Sequence, residues 1–180
     1  MLSAKELHKI FLSALGSEII AFSDIEKKPL EIDLKPPLPH KLRLYLFNCT
    51  NPPGGRPLGE YKIQLTLPKC KRKQRLHLDY SGGRLVFLAG YIPDIDIFVF
   101  WDPDLYKDFA YSMNFQVKAL TVHTALVEKY SEQVRVLKDG RKEIVLATQA
   151  KNLTATLNRR VQITIDNVAG GNNFEQFSLL

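Results

Sequence analysis

The sequence predicts an α+β, mainly β fold: an antiparallel barrel or half-barrel of about eight short strands with a few peripheral helices. Three observations predict it. Apolar residues recur at every second position in a series of short runs, the mark of strands with one face in a core. Clusters of Pro, Gly, Asn and Asp separate those runs. Helical spacing is confined to the N-terminus and to two short stretches late in the chain. At 180 residues, 45% hydrophobic and 24% charged, the chain is long enough for one domain with a full core.

The elements follow in order. Ser3-Ala4-Lys5-Glu6 forms a capping box, in which the Ser oxygen and the Glu carboxylate each satisfy an open backbone N–H. Leu7, Ile10, Phe11, Leu15 and Ile19 continue at helical spacing, so a first helix of about fifteen residues is expected, with His8 on its surface. The period changes to two at Leu30-Glu31-Ile32-Asp33-Leu34 and stops at Pro36-Pro37 and Pro39, since proline cannot donate to a ladder. KLRLYLF (41–47) alternates again, with Arg43 and Tyr45 opposite its leucines. NPPGGRPLG (51–59) is a loop. EYKIQLTL (60–67) turns Ile63, Leu65 and Leu67 one way and Lys62, Gln64 and Thr66 the other. RLHLDY (75–80) alternates, Ser81-Gly82-Gly83 turns, and 84–88 returns. IDIFVFW (95–101) is apolar almost throughout and is expected to be buried on both faces. Phe115–Leu120 is a strand and 121–130 a short helix. VRVLKDGRKEIVLA (134–147) is a hairpin whose Asp139-Gly140 supplies the positive φ of its turn. A last helix is expected over 151–160, then VQITI as a strand, then a polar Gly/Asn-rich tail.

Several function classes find no support. No run reaches the roughly 18 consecutive apolar residues of a membrane span. MLSAKELHKIFLSALGSEII scatters charges and a His through its apolar residues, unlike a signal peptide. A cytoplasmic protein is the expectation. Cys49 and Cys70 lie in dissimilar contexts and suggest neither a disulfide framework nor a zinc site. There is no phosphate loop ending in Gly-Lys-Ser/Thr, no Gly-x-Ser-x-Gly elbow and no His pair at metal spacing; His40, His77 and His123 read as ordinary strand or helix residues. No cofactor is expected.

Charge is more informative. The net charge is +6 with a pI near 9.3, and it is unevenly placed. From Lys41 to Arg75 nine basic residues stand against Glu60 alone, while from Tyr91 to Ala110 five Asp stand against Lys107 alone. A basic block of this density neutralises phosphates and releases counterions. The basic set is Arg43, Arg56, Lys62, Lys69, Lys71, Arg72, Lys73 and Arg75, with Gln64 among them; Arg and Gln also make bidentate contacts to base edges in the major groove. The plain alternative is a solvated hairpin tip that blunts an edge strand with charge.

A second constellation is catalytic in form. Asp94 or Asp96, followed about twenty residues later by Gln116-Val117-Lys118, has the spacing of a PD-(D/E)xK or Mrr-like nuclease, in which such groups hold a divalent metal and activate water. The long connection through Asp102, Asp104 and Asp108 does not suit the tight hairpin of that site, and only Glu6 and Glu18 lie on a convincing helix as the further acid.

The stretches LRLYLFNCTNPPGGRPLGEYKIQLTLP, LVFLAGYIPDIDIFVFWD and YSMNFQVKA together resemble the N-terminal DNA-recognition domains of McrBC-like and LlaJI-type restriction subunits, over about residues 40–155. The resemblance implies an antiparallel open pseudobarrel of about seven or eight strands with short peripheral helices, the fold of the EcoRII and BfiI recognition domains and of plant auxin-response factors. It implies two arms that grip the major groove of double-stranded DNA. One falls near Asn51–Lys62; the other, with Tyr111, Ser112 and Asn114, falls in Asp102–Asn114 ahead of Lys118. It also implies a GTPase or nuclease subunit or domain of the same restriction system as partner, and no catalytic residue in this chain. The expected organisation is an N-terminal helix (1–24), a recognition pseudobarrel (25–165) and a flexible linker toward an effector domain (166–180). Sequence-specific duplex binding is the expected function, with methylation sensitivity left open; the alternative is the nuclease using Asp96, Gln116 and Lys118.

Overall fold

The computed structural model describes residues 1–51, 59–67, 71 and 74–176, with side chains placed up to residue 170. Seven strands form one mixed sheet: β1 (Ile19–Phe22), β2 (Leu30–Leu34), β3 (Lys41–Asn48), β6 (Leu85–Ile92), β7 (Ile97–Trp101), β10 (Ser131–Val136) and β11 (Lys142–Gln149). Their order is β1-β2-β3-β6-β7-β11-β10. Two ribbons of two strands complete the eleven described strands. One pairs β4 (Glu60–Leu65) with β9 (Met113–Lys118), the other β5 (Arg75–Leu76) with β8 (Phe109–Ala110). The helices are α1 (Ala4–Leu15), α2 (Ala119–Thr124) and α3 (Leu153–Gln176).

Both faces of the large sheet are covered, and alternation along each strand sorts residues between them. Leu42, Leu44 and Leu46 of β3, with Phe98 and Phe100 of β7, pack under Leu7 and Phe11 of α1 and Leu153 and Leu157 of α3. Tyr45 and Phe47, with Val99 and Trp101, face the other way into a core shared with Ile63, Leu65, Phe115 and Val117 of the β4–β9 ribbon. Each fully buried Leu or Phe contributes about 1.5–3 kcal/mol, so two such layers account for why β3 and β7 are buried nearly throughout. Gly90 of β6 leaves no room for a side chain beneath the ribbon. A Cβ there would lie 2.6 Å from Ile63 Cγ2 and 2.9 Å from Cys49 Cβ.

Several expectations hold. The capping box at Ser3 and Glu6 is present in both halves. The 134–147 hairpin forms with Gly140 at φ 85°. The sheet is antiparallel except for β3 beside β6, which run parallel with Leu42 opposite Leu85 and Asn48 opposite Tyr91. The connection from 49 to 84 leaves the sheet to build β4 and β5, which makes room for a parallel return. For the same reason β5 pairs β8, and 75–80 makes no hairpin with 84–88.

Two further local expectations fail. His8 is fully buried on the inner face of α1, and its Nδ1–H donates to the Ile25 carbonyl at 2.7 Å. VQITI is helical: Leu153, Leu157, Arg160 and Ile163 are buried along one face of α3, and that packing overrides the β-branched preference. The same helix continues through residue 176, inside the segment expected to be a linker. The fold is α+β and mainly β, as expected, and no ladder closes the sheet into a barrel among the described residues. Thr50 and Lys62 exchange two backbone hydrogen bonds and join the end of β3 to β4. Between β9 and β10 there is no ladder; side chains bridge the two strands instead.

Candidate nucleic-acid interface

The β4–β9 ribbon has one apolar and one polar face because both of its strands alternate in phase. Glu60 stands opposite Lys118, Lys62 opposite Gln116, and Gln64 opposite Asn114. Ile63, Leu65, Phe115 and Val117 anchor the inner face, while Gln64, Asn114, Gln116 and Lys118 are exposed and Lys62 is half-buried. The Gln64 amide donates to the Ser112 hydroxyl at 2.9 Å, which fixes its orientation at the end of the ribbon. Five amide and ammonium side chains therefore stand in register on one outward face.

The 102–112 connection leading into β9 is held by buried charge. Asp102 accepts from Arg160 Nη2 at 2.9 Å, a pair about 3% exposed on each side. The Asp102 N–H donates to Glu143 (3.2 Å), as does the Tyr106 hydroxyl (2.7 Å), and Arg135 pairs with the same carboxylate at 3.1 Å. Burial pushes the Glu143 carboxyl up, against the Tyr106 hydrogen bond and the Arg135 charge. Removing one partner from such a site leaves an uncompensated buried charge. Neither Arg160 nor Glu143 was marked by the sequence pattern, which showed only a charge within a helix and a strand.

The predicted residues divide into groups. Lys62, Gln64, Ser112, Asn114 and Lys118 come together on and beside the ribbon, and Tyr111 is half-buried next to them. Asn51 is exposed just past the Thr50 bridge. Lys71 is exposed, and Arg75 makes a bidentate contact with Asp108, from Nε at 2.7 Å and from Nη2 at 2.7 Å. Arg43 does not belong to an outer face. It is buried, paired with Glu31 at 2.6 Å and Asp79 at 2.8 Å, and donates to the Asp79 and Ser81 carbonyls. Arg56, Lys69, Arg72 and Lys73 lie outside the described residues. The sequence reading missed a basic wall across from the 102–112 connection, formed by Arg135, Lys138 and Arg141 around the β10–β11 turn. A hairpin of composition RVLKDGRK carried that signal.

The nuclease constellation is not assembled. Asp96 caps a turn at the start of β7 with φ 52°, accepts from the Tyr91 hydroxyl at 2.8 Å, and shares a shallow pocket with Lys9 and Ser13 of α1. Gln116 meets the far end of β7, where its carbonyl accepts from Trp101 Nε1 at 3.1 Å. Five strand residues, about 16 Å at about 3.3 Å each, separate the two ends, and Asp96 lies on the helix side of the sheet while the ribbon lies on the other. Among the described residues no three His, Cys, Asp or Glu side chains are grouped to hold a metal. Among them, too, no helix is long and apolar enough to cross a membrane.

A family model described as methylase-associated X1 matches residues 40–157, about two thirds of the chain. The chain belongs to the methylase-associated X1 family. No curated protein and no solved structure matches it. The methylase association suggests a restriction–modification role, which the resemblance also implied; the matched description is not that of an McrBC-like or LlaJI-type recognition domain. Within this methylase-associated domain, the match runs from the start of β3 into α3. It takes in the β4–β9 ribbon, the 102–112 connection and the β10–β11 turn, and leaves α1, β1 and β2 outside.

Proposed function

We propose that this methylase-associated domain binds double-stranded DNA as the specificity module of a prokaryotic restriction–modification system, with the outward face of the β4–β9 ribbon reading the duplex. One observation carries the reading: Lys62, Gln64, Asn114, Gln116 and Lys118 stand in register on a two-stranded ribbon whose other face is anchored in the core. A ribbon of this width fits the major groove, where Asn and Gln pair bidentately with adenine and Lys with guanine. The ring of β3, β4, β9, β10, β11, β7 and β6, joined by the Thr50–Lys62 bridge and by side chains at β9–β10, supports an open pseudobarrel carrying that ribbon. In this reading the chain acts by binding. Cleavage or GTP-driven steps belong to a partner subunit or domain of McrBC-like or LlaJI-like type.

Selection of bound duplexes from a random pool, with and without cytosine methylation, tests the proposal. An enriched sequence is expected. The double variant Gln64→Ala, Asn114→Ala should reduce discrimination between enriched and random duplexes by about 30-fold or more, at about 1–3 kcal/mol for each of the two bidentate base pairings removed, while still binding random DNA. Retained discrimination removes the ribbon from the reading. Plasmid incubated with magnesium should stay intact; cutting that Lys118→Ala abolishes restores the nuclease.

A further inference from the structure

Beside the ribbon, between the 102–112 connection and the β10–β11 turn, runs a cleft of about 590 Å³. Leu105, Phe109 and Met113 give it an apolar floor. Arg75, Arg135, Lys138 and Arg141 line it against Asp108 and Asp139, so cations outnumber carboxylates four to two. Ser112 also lines the cleft, and it is the residue that accepts from Gln64 of the ribbon. A strand lying along the ribbon would therefore pass the mouth of the cleft.

The cations are held differently. Arg135 is committed to the fold: Nε pairs with Glu143, and Nη1 donates to the Gln116 carbonyl at 2.9 Å. Arg75 and Arg141 are not. Each is exposed and each pairs with one exposed carboxylate, Arg75 with Asp108 at 2.7 Å and Arg141 with Asp139 at 2.6 Å. The hydrogen bond to Arg75 holds the Asp108 carboxyl below its ordinary range, and Arg141 does the same for Asp139. Exposed pairs are weak because water screens them. A phosphodiester offers a guanidinium the same two-oxygen edge as a carboxylate, and binding it also releases counterions from the duplex. Exchange of carboxylate for phosphate is thus inexpensive on the protein side and favoured on the DNA side.

We propose that this cleft seats one phosphodiester of the bound strand, clamped by Arg75 from one wall and Arg141 from the other, with Asp108 and Asp139 as displaceable stand-ins for the phosphate. The two carboxylates then act as a filter. They subtract from sequence-blind attraction, so the clamp closes mainly on a duplex already seated on the ribbon. Asp108 and Asp139 become specificity-determining residues although neither touches a base. The proposal rests on the DNA reading of the ribbon.

The test uses the full chain and a fluorescent duplex of random sequence, followed by anisotropy across salt. Asp139→Asn keeps the oxygen that accepts from the Arg141 N–H and so keeps the turn. Asp108→Asn and Asp139→Asn should each tighten random-duplex binding by about three- to tenfold at low salt and steepen its salt dependence, with a smaller gain for an enriched sequence. In an Arg75→Gln background the gain from Asp108→Asn should fall below about twofold. If binding weakens in either Asn variant, the carboxylates pre-organise the arginines and the filter is overturned. A gain that persists in full without Arg75 marks general repulsion and overturns the clamp. A wild-type chain that shifts no duplex removes the ribbon reading and the clamp together, whereas wild-type binding that neither Asn variant changes removes the clamp alone.

Discussion

Lys28 sits where a lysine is hard to keep charged. Its ammonium lies 3.7 Å above the centre of the Phe47 ring, and burial brings its pKa down to about 8 from an ordinary 10.5. His8 is nearby, and its pKa is lowered by burial and further by the Lys28 charge, although its hydrogen bond to Ile25 opposes the shift. Two effects compete. The ring attracts the cation by about 0.5–2 kcal/mol, while the drop in pKa corresponds to a net penalty of about 3 kcal/mol; burial wins. Because the folded-state value lies below the unfolded one, the unfolded chain holds the proton more tightly between about pH 8 and 10.5. Stability therefore rises with pH through that window, and the penalty is present in full below it. Lys28→Met keeps the apolar stem over Phe47 and removes the charge. The variant should be more stable than the wild type by about 1–3 kcal/mol at pH 7, and the advantage should vanish near pH 10.5. Urea midpoints of the two proteins at both pH values check this, and equal midpoints at pH 7 refute it.

At the scale of elements, the seam between β9 and β10 decides how firmly the ribbon is held. The outer edge of β9 has no strand partner among the described residues, yet two of its backbone groups find side-chain partners. The Lys118 N–H donates to Gln133 Oε1 at 2.8 Å, and the Gln116 carbonyl accepts from both Arg135 and Trp101. Side chains thus replace a ladder. Gln133→Ala should expose the Lys118 amide, raising its hydrogen exchange by about fivefold or more for the loss of a bond of about 1 kcal/mol. Exchange in the β10–β11 ladder should not change. Protection of Lys118 that survives the substitution would mean that another group holds the seam. The strands themselves were largely legible: β2, β3, β4 and the β10–β11 hairpin follow from alternation and from Asp139-Gly140, and β7 from its continuous apolar run, where local preference and tertiary packing agree. Their partners were not. Nothing near β3 in sequence says that β6 will lie parallel beside it, or that β5 will leave 84–88 for β8. Arg43 shows the same limit within one strand. Alternation placed it opposite Leu42 and Leu44 correctly, but could not say that Glu31, Asp79 and Ser81 would close over that second face. Asp96 and Lys118 show it across strands: their spacing in sequence was real, and the sheet lies between them.

For the whole molecule, helices α1 and α3 cover one side of the large sheet and the polar ribbon forms part of the other, so a duplex on the ribbon meets the local charge of that face and not the net +6. Arg43 and Arg160 are buried in ion pairs, and Arg75 and Arg141 are neutralised at the cleft. On the ribbon itself the cations are Lys62 and Lys118, two positions apart in register across the pair of strands, with Glu60 opposite Lys118. If they position DNA by its phosphates, their contribution is electrostatic and blind to sequence. On duplex DNA the slope of log affinity against log salt changes by about 0.9 for each phosphate that the protein ceases to neutralise. Lys62→Ala with Lys118→Ala should therefore flatten the slope by nearly two, and weaken enriched and random duplexes by the same factor. Gln64→Ala with Asn114→Ala should do the reverse, leaving the slope and changing the ratio of the two affinities. The pattern requires both halves. If the lysine variant alters the ratio, Lys62 or Lys118 reads a base; if the slope is already near zero in the wild type, the ribbon does not meet phosphate at all.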